Sequence, residues 1–187
     1  RTPTMKTRLG CLSKKSDSYS DFSEFLPPAH DTTARWLNVW RRAQGLSGFF
    51  PTRLSTDEVV RWSESFDHLL SHKHGLAAFR TFLKSEFSDE NIEFWMACEE
   101  YKKTKSSTKL VSKANKIYQE FLDIQAPREV NIDHRTREKT KQSLEDPSPT
   151  SLNEVQAKVY SLMERDSYPR FLRSKMYKDL VSRAHAR

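Results

Sequence analysis

Residues 76–101 read LAAFRTFLKSEFSDENIEFWMACEEY, and two helical periods are visible in them, one on each side of a Ser-Asp pair. Leu76, Phe79, Phe82 and Leu83 fall on one face of a 3.6-residue repeat, and the pattern stops before Ser88. A serine there is suited to accept the free N–H groups at a helix start, so it predicts a second helix bearing Ile92, Trp95, Cys98 and Tyr101, fraying over residues 103–107. On the N-terminal side, a helix is expected from Ser55 or Thr56, with Asp57 and Glu58 in its positive first turn. It carries Val59, Trp62, Phe66, Leu69 and Leu70 and is ended by Gly75. On the C-terminal side, Leu110, Ala114, Ile117, Tyr118, Phe121 and Leu122 recur at three and four, limited by Pro127, with a loop over residues 127–133. Residues 133–145 are polar nearly all round and read as a solvent-exposed helix closed by Pro147 and Pro149. Leu152, Val155, Val159, Leu162 and Met163 make another. Ser167, Tyr168 and Pro169 punctuate it before Phe171, Leu172, Met176, Tyr177 and Leu180. None of the four glycines follows Asn or Asp, so the two-residue hairpin signal is absent. The fold class is all-α, a bundle of seven to nine helices with mostly short connections.

Charge divides the chain of 187 residues, which has a formal net charge of +7. Residues 1–55 hold nine Lys/Arg against four Asp/Glu, so most of the basic excess lies in an N-terminal extension, residues 1–54, ahead of a folded unit over 55–183 and a short tail, 184–187. Arg1, Lys6, Arg8, Lys14 and Lys15 form a basic head, and the Ser-, Asp- and Pro-rich residues 16–34 an acidic disordered spacer. Between Arg35 and Arg42, Trp36, Val39 and Trp40 share a helical face, which suits either a membrane-interface segment or a short helix folded back on the domain. A near-neutral folded unit argues against a nucleic-acid partner, whereas a basic head fits an anionic membrane surface. No stretch is apolar enough to span a bilayer and no secretory signal is visible, so the expected location is the cytoplasm and the cytoplasmic face of the plasma membrane. The chain begins at Arg1, and Met5 is a candidate native start.

Enzymatic signatures are missing: there is no phosphate-cradling glycine loop, no nucleophile elbow, no H-E-x-x-H and no paired Cys/His set. His68 and His72 stand four apart, the spacing of a metal pair, but with no third strong ligand an exposed basic helix end is the better reading. No metal or cofactor is expected. Cys98, followed by Glu99 and Glu100, is a poor nucleophile and reads as core packing. Cys11 in the basic head is the better candidate for palmitoylation, with Cys98 the second, because an acyl chain and basic residues together provide the two signals stable anchoring needs.

Three polar clusters lie beside apolar anchors at expected helix ends and loops, and each has a structural explanation: Ser88 as a cap, Asn131 starting an Asx turn, Asp166 as a cap. Together, residues 88–95 (SDENIEFW), 129–133 (EVNID) and 162–172 (LMERDSYPRFL) resemble, in identity, order and separation, the hallmark segments of the regulator of G-protein signalling (RGS) family. Residues 5–15 are similar to the basic, cysteine-bearing start of its small members, and the resemblance covers about residues 56–183. Residues 151–156 depart from the family's usual Cys-Phe-Asp-x-Ala-Gln, with Leu152 replacing the Phe, so local repacking is expected there.

The resemblance implies a nine-helix fold of two subdomains that accelerates GTP hydrolysis by heterotrimeric G-protein alpha subunits without a catalytic residue of its own, and Ser88 and Asp166 suit the Gi/o and Gq types. The contact surface it implies is Glu86, Phe87, Ser88, Glu90 and Asn91 at one junction, Glu129 and Asn131 in the central loop, and Leu162, Asp166, Ser167 and Arg170 at another. Asn131 is expected nearest the partner's catalytic glutamine, and Arg170 is expected to hold Asp166 in place. The competing class is a helical adaptor that occupies the alpha subunit without speeding hydrolysis. An enzyme in its own right lacks any candidate site.

Overall fold

Ser55, in extended backbone, accepts the Glu58 N–H on its hydroxyl and starts α1 (Thr56–Arg61). The structure is a computed structural model describing residues 55–185, and the expectations for the basic head, Cys11 and the Trp36 to Trp40 segment fall outside that range. The single helix expected between Ser55 and Gly75 is two. Ser65 turns extended (φ −156°, ψ 156°), caps the His68 N–H and begins α2 (Phe66–Ser71), a local side-chain bond winning over helix continuation. His72 breaks the chain again (φ −90°, ψ 123°) and opens α3 (Lys73–Ser85). His68 and His72 therefore do not share one helix. His68 sits 3.3 Å from Glu64, while His72 bonds Glu58 at 2.8 Å and packs on Trp62.

Gly75 lies in the first turn of α3 rather than ending a helix. A Cβ there would run into the Leu69 carbonyl oxygen and stand 3.2 Å from the Trp62 ring, so the glycine is needed for α2 and α3 to cross closely.

Past residue 85 the chain forms α4 (Glu90–Lys102), then α5 (Ser107–Ile117), capped by Ser106 and continued by a π-helical turn, Tyr118–Leu122. After the loop comes α6 (His134–Ser143), which Asp133 caps. This helix is not solvated all round, because Thr136 and Thr140 are buried, the Thr140 hydroxyl donating 2.8 Å to the Thr136 carbonyl. Helix α7 (Asn153–Leu162) passes through a second π-helical turn, Met163–Ser167, into α8 (Tyr168–Arg173). Pro169 therefore sits in the first turn of α8 without interrupting the chain's helical course, which passes it on the π-helical turn whose Tyr168 N–H donates to the Met163 carbonyl. The break comes at Ser174 (φ −67°, ψ 152°), before α9 (Lys175–His185). Among the described residues there are nine α-helices and no strand, as an RGS-type helical bundle requires.

The helices fall into two packed sets. In one, α2 lies on α3, α1 on α9, and α8 on α9 and α3; in the other, α4 packs on α5 and α7, and α6 on α7. Phe66, Phe79, Phe82 and Phe171 meet edge to face or stacked in the first, and Phe94 with Phe121 in the second. Phenol hydroxyls close the first set: Tyr177 donates to the Val59 carbonyl (2.9 Å) and Tyr168 to the Trp62 carbonyl (2.8 Å). Leu152 is fully buried in the position where the family usually has Phe. The sets join where α3 runs into α4, with the buried side chains of Arg80 and Glu93 paired across that contact, and where α7 runs into α8.

Gly75→Ala is expected to lower stability by about 2 kcal/mol, because the new methyl meets backbone that cannot step aside. Urea unfolding with an unchanged slope and a lower midpoint is the measurement that shows it.

Candidate functional site

At the α3–α4 junction the helix ends in a C-terminal motif normally built around glycine. Ser88 N–H reaches back to the Leu83 carbonyl (3.0 Å) and Phe87 N–H to the Lys84 carbonyl (3.2 Å), which puts Phe87 in the left-handed region at φ 56°. Ser88 thus closes α3 and does not cap α4, which starts from Asp89 without a side-chain cap bond. A phenylalanine held in that conformation is strained, and its ring is 92% exposed, so neither backbone nor burial explains the residue. The junction also contains half-buried Glu90 and the buried Asn91, whose Oδ1 no protein donor reaches.

The second cluster comes from the α7–α8 turn. Asp166 is exposed, Leu162 half-buried and Ser167 buried beneath them. Arg170 pairs with Asp166 one turn back and, across the junction, with Glu86, its Nη2 2.9 Å from Oε2. The Glu86 carboxylate, and then that of Asp166, hold the guanidinium still further into its charged form. The planar fork thus ties two segments 84 residues apart.

The third cluster is the loop between α5 and α6. Its rising arm is pinned by backbone bonds from Arg128 N–H to the Glu120 carbonyl (3.1 Å) and from Val130 N–H to the Phe121 carbonyl (3.0 Å). Arg128 reaches Asp89 at 3.1 Å while its cation lies 5.5 Å from the Phe121 ring centre, joining this loop to the first cluster. Asn131 stands exposed between Glu129 and Asp133. The expected Asx turn at Asn131 is replaced by a cap two residues later. Asp133 accepts from Thr136 N–H (2.9 Å) and hydroxyl (2.6 Å) and pairs with Lys158 (2.9 Å). Those bonds, the Thr136 hydroxyl first, hold its carboxyl well below the usual range.

All three motif segments therefore converge at the seam between the two helix sets, stitched by Arg170 and Arg128. Arg128 is not among the residues the sequence singles out, and Asp89, though inside the 88–95 segment, is not expected to pair with it, since an ion pair between positions 39 apart leaves no periodic trace. Cys98 is fully buried in α4 and its thiol is pushed well up by burial, so in this conformation it packs as an apolar group and presents no accessible sulfur. Among the described residues no three His, Cys, Asp or Glu side chains are grouped to hold a metal, and no helix is long and apolar enough to cross a membrane.

Residues 65–180 match the family model described as the regulator of G protein signaling domain. The chain belongs to this family. It is 69% identical to regulator of G-protein signaling 8 of Danio rerio over 96% of this chain and 94% of that protein. It is 59% identical to the human protein of the same name, over 100% of this chain and 94% of the relative. With regulator of G-protein signaling 5 of Sus scrofa it shares 55% identity over 97% of this chain and 92% of the relative. As an RGS protein, the chain carries all three motif segments within the matched range, and its seam is where they meet.

The strain at Phe87 has a measurable consequence. Phe87→Gly is expected to leave the fold intact and raise its stability by up to about 1 kcal/mol, since glycine adopts this backbone freely and the lost ring buried nothing. A fall in the urea midpoint would mean that the ring contributes to the fold.

Proposed function

We propose that this chain is a GTPase-activating protein for heterotrimeric G-protein alpha subunits, of the Gi/o class and also of the Gq class, and that it terminates receptor signalling by binding their switch regions in the transition-state arrangement. The observation that carries the reading is the convergence of Phe87, Asn131 and Asp166, from three distant segments, on one braced seam. An alpha subunit already carries its own transition-state arginine and a glutamine that orients the attacking water. What it lacks is fixed switch loops, and a partner that binds best to their transition-state geometry lowers the barrier by that difference in affinity alone.

In this reading no residue of the chain does covalent or proton-transfer chemistry. Asn131 presents an uncharged amide, able to donate and accept beside the partner's glutamine without adding charge. Asp166, steered by Arg170, takes a hydroxyl or amide of a switch loop, while Glu86, Ser88, Glu90 and Asn91 form the neighbouring junction. The exposed Phe87 ring supplies an aromatic anchor, the residue class that dominates interface energies. Work on the cytoplasmic face of the plasma membrane completes the proposal, with the five basic residues before position 16 and an acyl chain on Cys11 holding the domain near its membrane-bound partner.

Single-turnover GTP hydrolysis by a Gi/o-type alpha subunit tests the reading. The full chain is expected to raise the rate at least about tenfold, equivalent to about 1.4 kcal/mol of differential binding. Asn131→Ala is expected to remove most of that gain, while Asp166→Ala chiefly raises the concentration needed. Binding without acceleration would leave an effector-blocking adaptor, and no interaction with either Gi/o or Gq subunits would overturn the proposal.

A further inference from the structure

Asn131 is the exposed tip of a loop, and an exposed tip presents a side chain in one place only if its flanks are held. Both flanks are held, and both by the first turns of α6. Downstream, Asp133 bonds Thr136 and Lys158 as described. Upstream, both oxygens of Glu129 are engaged within the chain: Oε1 takes Arg137 Nη2 at 2.7 Å, and Oε2 takes the N–H of Gln125 at 3.1 Å. Gln125 is in the left-handed region at φ 62°, so this carboxylate also fixes the strained corner of the loop. The Arg137 side chain is 11% exposed against 38% for Glu129, which makes the arginine the anchored member of the pair and the glutamate the one drawn down to it.

From this geometry we infer that Arg137 is a positioning residue: acting through Glu129, it holds the loop in the conformation that presents Asn131, and Glu129 works inward on the loop instead of touching the partner. The inference rests on the proposed activity and reassigns Glu129, which the family resemblance places on the contact surface. An arginine at this position supplies a fork whose direction is fixed, whereas lysine keeps the charge without the fork.

The test uses the full chain as wild type, Arg137→Met, Arg137→Lys, Glu129→Gln and the Arg137→Met/Glu129→Gln pair. The first readout is the side-chain and backbone amide NMR resonances of Asn131 in the free protein, and the second is single-turnover GTP hydrolysis by a Gi/o-type alpha subunit at saturating concentration. Arg137→Met and Glu129→Gln are each expected to shift the Asn131 resonances and cut the acceleration about tenfold, less than the roughly hundredfold a full 1 Å misplacement can cause. The double variant is expected to lose no more than the worse single, since the two residues act as a unit, and Arg137→Lys to recover part of the loss. Losses that multiply, or a Glu129→Gln defect confined to the concentration dependence, would place Glu129 on the partner and overturn the inference. Should Arg137→Met fail to fold, Glu129→Gln decides alone, and unmoved Asn131 resonances in it refute the brace. If the wild type accelerates no alpha subunit, the proposed activity fails, yet the resonance shifts still decide whether Arg137 and Glu129 hold the loop.

Discussion

The buried ion pair between Arg80 and Glu93 is the constraint from which the site follows. It bridges α3 and α4 with both side chains at most 8% exposed, at one of the two places where consecutive helices belong to different packed sets. A buried pair is weak evidence for stability, because desolvating two charges costs about as much as their attraction returns. Losing one partner is another matter, since it strands a charge in the core at about 3 to 5 kcal/mol. The pair therefore acts chiefly on geometry. It permits one register of α3 against α4 and so fixes the short turn between them, Glu86 to Asp89, and the start of α4 with Glu90 and Asn91.

From that turn, ionic side chains extend the contacts outward, beside the packing of buried Val130, Met163 and Phe171. Arg170 reaches it from α8 and Arg128 reaches it from the α5–α6 loop, while Glu129 and Asp133 anchor the same loop to α6. Such pairs are partly exposed and each is worth little to stability, with a typical contribution of about 0 to 1 kcal/mol. Their value lies in direction. Each holds a long side chain in one direction, and together they tie the three segments to one another, adding to the core contact of buried Val130.

The apolar periods made the bundle legible before any coordinates: Leu76, Phe79, Phe82 and Leu83 are on one helix, and the all-α class followed from such runs. The misreadings have physical causes. Gly75 looks like a helix end because glycine is common there, yet it serves a helix crossing, a long-range demand invisible in the local sequence. Ser88 looks like a cap, but its backbone was already committed to closing α3. Helix α6 looked fully solvated because hydropathy counts threonine as polar, whereas Thr140 satisfies its hydroxyl within the helix and buries its methyl. At the site, the residues carried by the motifs were legible as a set through the family resemblance. The arginines that hold them, Arg128 and Arg137, were not, because a surface arginine and a bracing arginine look the same until their partners are in place.

A face that is to speed a reaction whose chemistry belongs to its partner has to be stiffer than one that merely binds. On the proposed reading, all of the acceleration is the difference between affinity for the transition-state switches and for their resting ensemble. If the face could reshape itself to fit both, the difference would vanish and only an adaptor would remain. The structural features line up with that requirement: a phenylalanine kept in a strained conformation and left in solvent, a glutamine held likewise by a carboxylate, and an exposed asparagine clamped on both sides. Each is a local cost that folding alone does not ask for. On that reading, their placement immediately before the first motif segment, within the second and in the loop leading into it marks a preorganised recognition surface, as distinct from an ordinary polar surface of a helical bundle.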